Sequence, residues 1–494
     1  MSITAALSQY AARTPERDAL VFEDERICWR LLDHEINRLA GFIVAAAPAG
    51  GSVALHLPTG PALALLFLAV ARAGREAQVF DPDWPIEMTR AIKARLSPDL
   101  LVSFDAGLSG GNAVILADPT IPFLQVASSL GVVTAAPACT EPDALLPFYV
   151  GFTSGSTGIP KGYRRHHHSW TESSRHDAVE FGINADDVIV APGTLTHSLF
   201  LYALVHGLNA GARVILCRRF RPEAVVRLIE AERATVLYGV PTQLQLTVKA
   251  AGDAVLGSMR WILSSGAKWP VGERAPLQRL FPNARFAEFY GASETGFMTV
   301  AKADEGAPEN SVGRSFSGAV VTIRSRAGRP IPQGKTGYVF VESPFLFMNY
   351  ACGDADLLRH GEAISVGDIG FLDPQGFLHL VGRASRKIVT SGKNVYPEEI
   401  ERVIERHPMV TAAAVLGAPD RSRGERLIAL VQLHADAVVT GAELIAYQRK
   451  ALPLYKVPRV YASVEEWPLT RSGKTDFERL RHAWITGAIT AGLP

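Results

Sequence analysis

A short stretch rich in glycines and hydroxyls, Thr153 to Gly162, carries the clearest chemistry in this sequence. It follows the apolar run Leu146 to Val150 and contains a single cation, Lys161. Glycines let a backbone approach an oxyanion closely, while backbone N–H groups, hydroxyls and a lysine bind phosphate oxygens. The stretch therefore predicts a loop that holds nucleotide phosphates, with a flexible linker as the alternative. A Walker A spacing cannot be drawn through it. The candidate phosphate-binding residues are Thr153, Ser154, Gly155, Ser156, Thr157, Gly158 and Lys161.

A second candidate is the segment Glu288 to Gly296, which carries a predicted strand into a turn. Loops that follow the strands of α/β sheets commonly bind ligands. Here Tyr290 could stack on a nucleobase, Ser293 could reach a phosphate, and Glu294 could bind Mg²⁺ beside phosphate oxygens. An ordinary strand-to-loop turn is the alternative.

Two further polar residues stand in suggestive surroundings. Asp368 lies among apolar residues in Val366 to Phe371, where one carboxylate could accept both hydroxyl protons of a ribose or simply stabilise a turn. Lys474 ends the segment Pro468 to Lys474. By itself, a Gly-Lys pair such as this one is typical of a solvated loop tip.

Alternating strand and helix patterns must position these residues. Ser52 to Leu57 predicts a buried strand, and the apolar stretch Ala62 to Ala73 predicts a buried helix. Pro222 to Arg233 predicts an amphipathic helix that leads into a strand at Thr235 to Tyr238. Such alternation favours parallel sheets covered by helices, which is an α/β fold.

The second part of the chain changes character. From about Ser311 to Arg383, many glycines and short β runs predict a small antiparallel barrel or meander. The last part predicts an α+β unit, in which a helix begins at Pro397 and ends at His407-Pro408.

The composition excludes several classes of protein. The 494 residues carry a formal net charge of +1, so no overall field attracts nucleic acid or anionic membrane. The longest apolar run, Pro61 to Ala71, is shorter than the ~18 residues of a membrane span. Four separated cysteines argue against a disulfide framework or a zinc site. We therefore expect a cytoplasmic enzyme, monomeric or homodimeric, without nucleic-acid or membrane partners.

The order of these segments resembles the adenylate-forming superfamily, which includes acyl-CoA synthetases, nonribosomal peptide adenylation domains and luciferases. The likeness extends from about Tyr10 to about Arg481 and includes the family's Tyr-Gly-x-Thr-Glu motif, with Ser293 in place of threonine. It implies a large N-terminal domain, residues 1–383, made of two α/β subdomains and a small β-barrel at about 305–383. A mobile α+β C-terminal domain, residues 384–494, would follow.

The same resemblance implies roles for individual residues. Glu294 would bind Mg²⁺, and Lys474, Glu294, Ser293 and His197 would be the catalytic set. The basic stretch Arg164 to His168 would support the phosphate loop. The implied nucleotide-binding residues are Gly266, Ala267, Tyr290, Gly291, Ala292, Ser293, Asp368, Arg383 and Lys474.

For the second step of the family's reaction, Gly392 and Lys393 would line a tunnel for a thiol. Ser385 stands at the hinge, where relatives usually carry Asp or Lys. The acyl pocket would include His197, Ser198, Phe200, Leu201 and Lys268. Members that activate amino acids have an aspartate in a Phe-Asp-x-Ser motif, and its absence here argues against an α-amino acid. Lys268 could pair with the distal carboxylate of a dicarboxylic acid or be a surface lysine.

The implied reaction is a two-step ligation. A small carboxylic acid attacks MgATP to give an acyl-adenylate and pyrophosphate, and CoA then takes the acyl group and releases AMP. The phosphopantetheine of a carrier protein acting in trans is the alternative acceptor. A non-catalytic nucleotide-binding relative and a luciferase-like oxygenase are the alternatives to ligation.

Overall fold

The computed structural model describes residues 1–132, 140–153, 160–266, 268–269, 274–353, 357–390, 392–420, 424–470 and 474–493. Helices and strands alternate along most of the chain, as the patterns predicted. The helices are α1 Ala5–Arg13, α2 Trp29–Ala46, α3 Pro61–Arg72, α4 Ile86–Leu96, α5 Val126–Ser129, α6 His167–Phe181, α7 Ser198–Asn209, α8 Pro222–Glu232, α9 Pro241–Ala251, α10 Arg274–Leu280, α11 Pro397–Ile404, α12 Gly441–Gln448 and α13 Phe477–Ile485.

The strands up to residue 302 are β1 Asp18–Phe22, β2 Glu25–Cys28, β3 Ser52–His56, β4 Glu76–Phe80, β5 Leu100–Ser103, β6 Ala113–Ile115, β7 Pro147–Thr153, β8 Lys161–His166, β9 Val188–Ala191, β10 Arg213–Leu216, β11 Val236–Gly239, β12 Trp261–Ser264, β13 Arg285–Ala292 and β14 Gly296–Lys302. The later strands are β15 Arg314–Ser315, β16 Val320–Arg324, β17 Gly337–Glu342, β18 Asn349–Cys352, β19 Leu358–His360, β20 Ala363–Ser365, β21 Asp368–Leu372, β22 Leu378–Arg383, β23 Ile388–Thr390, β24 Lys393–Val395, β25 Val410–Asp420, β26 Gly424–Leu433 and β27 Val460–Ser463.

The contacts divide the chain into two units. The first comprises Met1–Val321 and Val341–Ala355, and the second comprises Thr322–Phe340 and Asp356–Pro494.

The first unit contains a seven-stranded sheet in the order β18-β8-β7-β4-β3-β5-β6, as far as the described residues extend. Strands β7, β4, β3, β5 and β6 run parallel, whereas β8 and β18 are antiparallel additions at one edge. The strand predicted from Ser52 and the helix predicted from Ala62 are confirmed as β3 and α3. Every residue of α3 is buried, which explains why its apolar pattern covers all faces.

A nine-stranded sheet in the order β15-β14-β13-β12-β11-β9-β10-β1-β2 completes the described part of this unit. Its centre, from β10 to β13, is parallel, and β14 folds back antiparallel on β13. Val225 and Ile229 of α8 pack into the hydrophobic core beside strand residues such as Leu237 and Ile262. The predicted helix at Pro222 and the strand after it are therefore confirmed.

The second unit holds two sheets among its described residues. A six-stranded sheet contains β16, β17 and β19 to β22, and a five-stranded sheet contains β23 to β27. Of the strands between Ser311 and Arg383, β15 and β18 pair with the sheets of the first unit instead. The helix predicted from Pro397 is confirmed as α11, whose Ile400 and Ile404 are fully buried in the core. The α/β fold class is thus confirmed, and no helix in the described part of the chain is both long and apolar enough to cross a bilayer.

Candidate functional site

The predicted phosphate loop connects two antiparallel strands. Strand β7 ends at Thr153 and β8 begins at Lys161, and these two residues are direct partners in the register. The pairing brings both ends of the loop together at the edge of the seven-stranded sheet. The other predicted phosphate-binding residues, Ser154, Gly155, Ser156, Thr157 and Gly158, lie outside the described residues.

The turn between β13 and β14 presents Ser293 and Glu294. The register shifts between Tyr290 and Gly291, which marks a β-bulge just before the turn. A Cβ on Gly291 would overlap with the carbonyl oxygen of Gly296, so only glycine permits this close approach. Ala292 N–H donates to the Thr295 hydroxyl over 2.8 Å and closes the turn.

Elements of the seven-stranded sheet hold this turn from outside. The guanidinium of Arg165, on β8, donates to the Ser293 carbonyl over 2.7 Å and also to the Phe345 carbonyl. Phe347 N–H donates to the Glu294 carbonyl over 2.8 Å, and the Tyr350 hydroxyl donates to Glu294 Oε1 over 2.7 Å. Arg165 is buried, and burial lowers the pKa of its guanidinium although the neighbouring Tyr163 and Glu294 oppose that shift.

The sequence reasoning assigned Arg165 only a general supporting role and missed Tyr350 altogether. Neither residue has a local signal, because Arg165 lies 128 residues from Ser293 and Tyr350 lies 56 residues from Glu294. Both contacts depend on how two sheets approach each other.

The donor chemistry at Glu294 suits Mg²⁺. This ion prefers one or two carboxylates together with phosphate oxygens and water. Glu294 Oε1 accepts the Tyr350 hydroxyl, and a carboxylate has a second oxygen that can bind a cation. Glu294 therefore fits the role that the sequence proposed for it.

The predicted adenine-lining segment lies next to β13. Ser265 donates from its hydroxyl to the Phe289 carbonyl over 3.0 Å, and Gly266 has a positive φ of 93°. Ala267 lies outside the described residues. The backbone at Gly266 thus has a positive φ, which glycine adopts without strain, and the segment lies beside the residue that precedes Tyr290.

Lys268 is engaged within the protein. Its ammonium lies 3.2 Å from Glu288 Oε2 and donates to the Ser311 carbonyl over 2.8 Å. The other oxygen of Glu288 accepts the Trp269 N–H over 2.6 Å, and Arg274 adds a second ion pair to this carboxylate. The structure therefore places Lys268 in a charge network that fixes the segment 268–269 to β13.

In the second unit, Asp368 and Arg383 meet at paired strand ends. They are register partners on β21 and β22, and Arg383 Nε donates to Asp368 Oδ1 over 2.8 Å. Asp368 is buried, whereas more than half of the Arg383 side chain is exposed. A carboxylate oriented by a guanidinium can accept hydroxyl protons at its second oxygen, as recognition of a ribose requires.

Lys474 lies near this pair, on a short loop. Its backbone pairs with Thr470, and a bridge joins Leu469 to Thr475. Although the residue as a whole is exposed, desolvation lowers the pKa of its ammonium, and Arg383 lowers it further while Asp368 acts in the opposite direction. The three residues therefore lie close enough to interact electrostatically.

The predicted hinge and thiol-tunnel residues are also in the second unit. Ser385 lies in a single 3₁₀ turn, Ala384–Arg386, directly after β22. Gly392 has a φ of 73°, and a Cβ built on it would meet no atom within 4 Å. Lys393 begins β24, with its ammonium 4.2 Å from the centre of the Tyr455 ring.

The predicted acyl-pocket residues begin α7. His197 is its N-cap and accepts the Leu199 N–H at Nδ1 over 3.3 Å, so the ring has a helix-capping role. Ser198 is partly exposed, Phe200 and Leu201 are buried, and the Phe200 ring occupies the space that a side chain on Gly193 would need. The helix thus starts with polar groups and continues as a buried apolar segment.

Two models of known protein families match this chain. The family model described as AMP-binding enzyme matches residues 7–351, and the model of the AMP-binding enzyme C-terminal domain matches residues 399–474. The chain belongs to the AMP-binding enzyme family. The chain is also 34% identical to an uncharacterised acyl-CoA ligase, YhfT of Bacillus subtilis, over 99% of both chains.

A further ligase and a solved structure are also similar to this chain. The chain is 28% identical to a 2-succinylbenzoate–CoA ligase of Bacillus licheniformis over 95% of this chain and 97% of the relative. The ATP-bound structure of MatB from Rhodopseudomonas palustris matches with a TM-score of 0.88 at 24% identity, covering 98% of this chain and 99% of MatB. At that identity the structure shows a shared fold alone. Together with the family match, the ligase relatives make the chain an AMP-forming acid–thiol ligase that uses ATP and CoA.

Proposed function

We propose that this ligase joins an apolar monocarboxylic acid to CoA, using the residues described above. A carboxylate oxygen attacks the α-phosphorus of ATP, the bond to the β-phosphate oxygen breaks, and pyrophosphate leaves. The thiol sulfur then attacks the carbonyl of the acyl-adenylate, loses its proton, and displaces AMP. Adenylation is needed because a free carboxylate is a poor electrophile.

Each group proposed to bind the nucleotide has a part of it as its target. Thr153 and Lys161, at the paired ends of the phosphate loop, would contact the β- and γ-phosphates together with the intervening residues. Ser293 would donate to the α-phosphate, and the Asp368–Arg383 pair would bind the ribose hydroxyls. The adenine would lie between Gly266 and the bulge that begins at Tyr290, with Gly291 and Ala292 completing its surroundings.

The Glu294 carboxylate would hold Mg²⁺, which would neutralise phosphate charge when bound. Lys474 would orient the substrate carboxylate toward the α-phosphorus and stabilise the charge that develops there. Its lowered pKa fits an ammonium that is already partly desolvated before the substrates arrive. In the second step, Gly392 and Lys393 would line the path of the thiol. Rotation about Ser385 would bring the loop of Gly392 to the reacting groups in place of the loop of Lys474.

The nature of the acid follows from the Lys268 network. Because Lys268 already pairs with Glu288 and donates to Ser311, binding a distal carboxylate would require breaking contacts of a buried glutamate. The α7 segment adds His197, Ser198 and the buried side chains of Phe200 and Leu201. These features support an apolar acid with one carboxylate over a dicarboxylic or α-amino acid. The ion pair of Lys268 is the observation that carries this choice.

A substrate panel tests the proposal. The protein is incubated with MgATP, CoA and equal amounts of aliphatic and aromatic monocarboxylates, dicarboxylates and α-amino acids, and the acyl-CoA products are identified by mass spectrometry. We expect thioesters of apolar monocarboxylates. A preference for dicarboxylates that disappears in Lys268→Met would refute the choice of acid, and an acyl-adenylate without thioester would point to a carrier protein.

The same proposal places the enzyme in a reducing cytoplasm, as a monomer or homodimer. Cys28, Cys217 and Cys352 are free and buried, and burial raises the pKa of the Cys217 thiol to about 12. A thiol with so high a pKa is a poor nucleophile, which supports a packing role for Cys217 over a role in catalysis.

A further inference from the structure

The proposed metal-binding carboxylate has a partner that the reaction scheme does not use. Glu294 Oε1 accepts the hydroxyl of Tyr350 over 2.7 Å. Tyr350 lies on β18, the edge strand of the seven-stranded sheet, whereas Glu294 lies on the turn of the nine-stranded sheet. The carboxylate is thus held from a different sheet than the one that carries it.

The backbone around Glu294 is fixed by the same neighbouring segment. Phe347 N–H donates to the Glu294 carbonyl over 2.8 Å, and the ring of Phe347 packs 5.0 Å from that of Tyr350. Buried Arg165 joins the Ser293 carbonyl to the Phe345 carbonyl. With the backbone fixed on both sides, the Tyr350 hydroxyl acts on the remaining freedom of Glu294, the rotation of its side chain.

We propose that Tyr350 is a positioning residue for Mg²⁺ binding by Glu294, a role that rests on the proposed function of this carboxylate. Its hydroxyl holds Oε1 and so presents Oε2 to the ion in one orientation. Hydrogen bonds from O–H groups to carboxylates are short and strong, and partners of metal ligands typically change metal affinity by about 10-fold or more. The geometry assigns this effect to one atom, the Tyr350 oxygen.

The experiment measures nucleotide binding directly, without turnover. Titration calorimetry gives the affinity of Tyr350→Phe and of the wild type for ATP, first in excess Mg²⁺ and then in EDTA. We expect the gain in affinity that Mg²⁺ provides to fall by about 10-fold in the variant, because the carboxylate is no longer held in the binding orientation. The affinity in EDTA and the melting temperature should stay unchanged.

Tyr163→Phe is the matched control. Tyr163 is the register partner of Tyr350 on the neighbouring strand, and its hydroxyl lies 3.2 Å from that of Tyr149. This variant also loses one buried hydroxyl contact but does not touch Glu294, so its Mg²⁺ dependence should match the wild type.

Two results would overturn the proposal. An unchanged Mg²⁺ dependence in Tyr350→Phe would show that the hydroxyl does not position the ligand. An equal loss of affinity in EDTA and in Mg²⁺ would show that it only maintains the shape of the nucleotide site. Glu294→Gln separates these results from a failure of the proposed function. If that variant retains the full effect of Mg²⁺, Glu294 is not the metal ligand and the role of Tyr350 falls with it.

Discussion

The Glu294 turn and the loops of Gly392 and Lys474 are built in opposite ways. Arg165 and Tyr350, on two strands of the other sheet, and Phe347, just before one of those strands, donate hydrogen bonds to the turn, and Arg165 is buried. Gly392 has open space around its Cα, and the described contacts of the Lys474 backbone lie within its own loop. Groups proposed to bind the nucleotide throughout the reaction are fixed, whereas groups proposed to act in only one step lie on exposed loops.

The contrast predicts that changes on the open loops alter one half-reaction and leave folding intact. Lys474→Ala should slow adenylate formation by about 10²–10³-fold, because it removes a charge that acts in the transition state. Thioester formation from supplied acyl-adenylate should continue at a rate close to that of the wild type. Single-turnover measurements of the two steps decide this.

Lys450→Ala is a suitable control for Lys474→Ala, because Lys450 is also an exposed lysine of the second unit. It should leave both steps unchanged. Equal losses of the two steps in Lys474→Ala would contradict its assignment to adenylation.

A second prediction concerns Gly392 and the thiol. Replacing it with Leu places a side chain in the proposed thiol path, and misplacement of reacting groups by about 1 Å can cost about 100-fold in rate. Pyrophosphate release should persist while thioester formation falls by about this factor. The positive φ adds about 1–2 kcal/mol of strain, and Gly392→Asn separates strain from obstruction because Asn tolerates this conformation. If Gly392→Leu and Gly392→Asn are impaired to the same degree, the tunnel assignment is wrong.

A substitution that removes contacts to the Glu294 turn should lower the free energy of unfolding as well as the activity. Arg165→Met retains an unbranched side chain but removes the guanidinium, so the Ser293 and Phe345 carbonyls lose this donor. Each lost partner of a buried group costs about 1–3 kcal/mol, so the loss of two should lower the free energy of unfolding by about 2–6 kcal/mol. Urea unfolding measures it, with Arg90→Met, at an exposed position, as the control. A variant with native stability and reduced Mg²⁺-dependent binding would show that Arg165 acts on the ligand and not on the fold.

The parts of the molecule that the sequence predicted correctly are those with a local signal. The strand predicted from Ser52 and the helices predicted from Ala62 and Pro222 follow from apolar patterns within each segment. The phosphate loop has a local signal in the glycines and hydroxyls of Thr153 to Gly162. Glu294 and Asp368 have roles implied by the family resemblance. Their proposed roles remain predictions.

The features that sequence reasoning missed depend on contacts between distant segments. The partner of Glu294 lies 56 residues away, and Lys268 looked available for a substrate because Glu288 lies on another element. A lysine near a pocket and a lysine in an ion pair have the same sequence pattern, so only the packing distinguishes them.

A buried polar cluster formed by α6, α7 and β11 also depends on contacts between distant segments. Asp177 of α6 accepts hydrogen bonds at Oδ2 from the hydroxyls of Tyr202 over 3.1 Å and Tyr238 over 3.4 Å. His206 Nε2 lies 3.2 Å from the same oxygen, and both Asp177 and His206 are almost completely buried. Burial raises the pKa of Asp177 to about 8, although the two tyrosines oppose this, and lowers the pKa of His206 to about 4. Burial therefore favours the protonated acid and the neutral imidazole.

This cluster gives the smallest of the expected effects, in the dependence of stability on pH. Because the pKa of Asp177 is higher in the folded state, its proton stabilises the fold at low pH and is lost as the pH rises toward about 8. His206 makes the free energy of unfolding rise with pH, because its pKa is lower in the folded state. This rise is complete once the pH exceeds about 6.5, the ordinary pKa of a histidine. Between pH 6.5 and 7.5 the wild type should thus lose at most ~1.4 kcal/mol relative to Asp177→Asn, whose amide cannot ionise. Urea unfolding of both proteins across this range measures the difference, and Asp186→Asn, at an exposed position, should follow the wild type. Parallel curves for wild type and Asp177→Asn would mean that the carboxylate is already ionised in the folded protein, with its charge stabilised by the two tyrosines and His206.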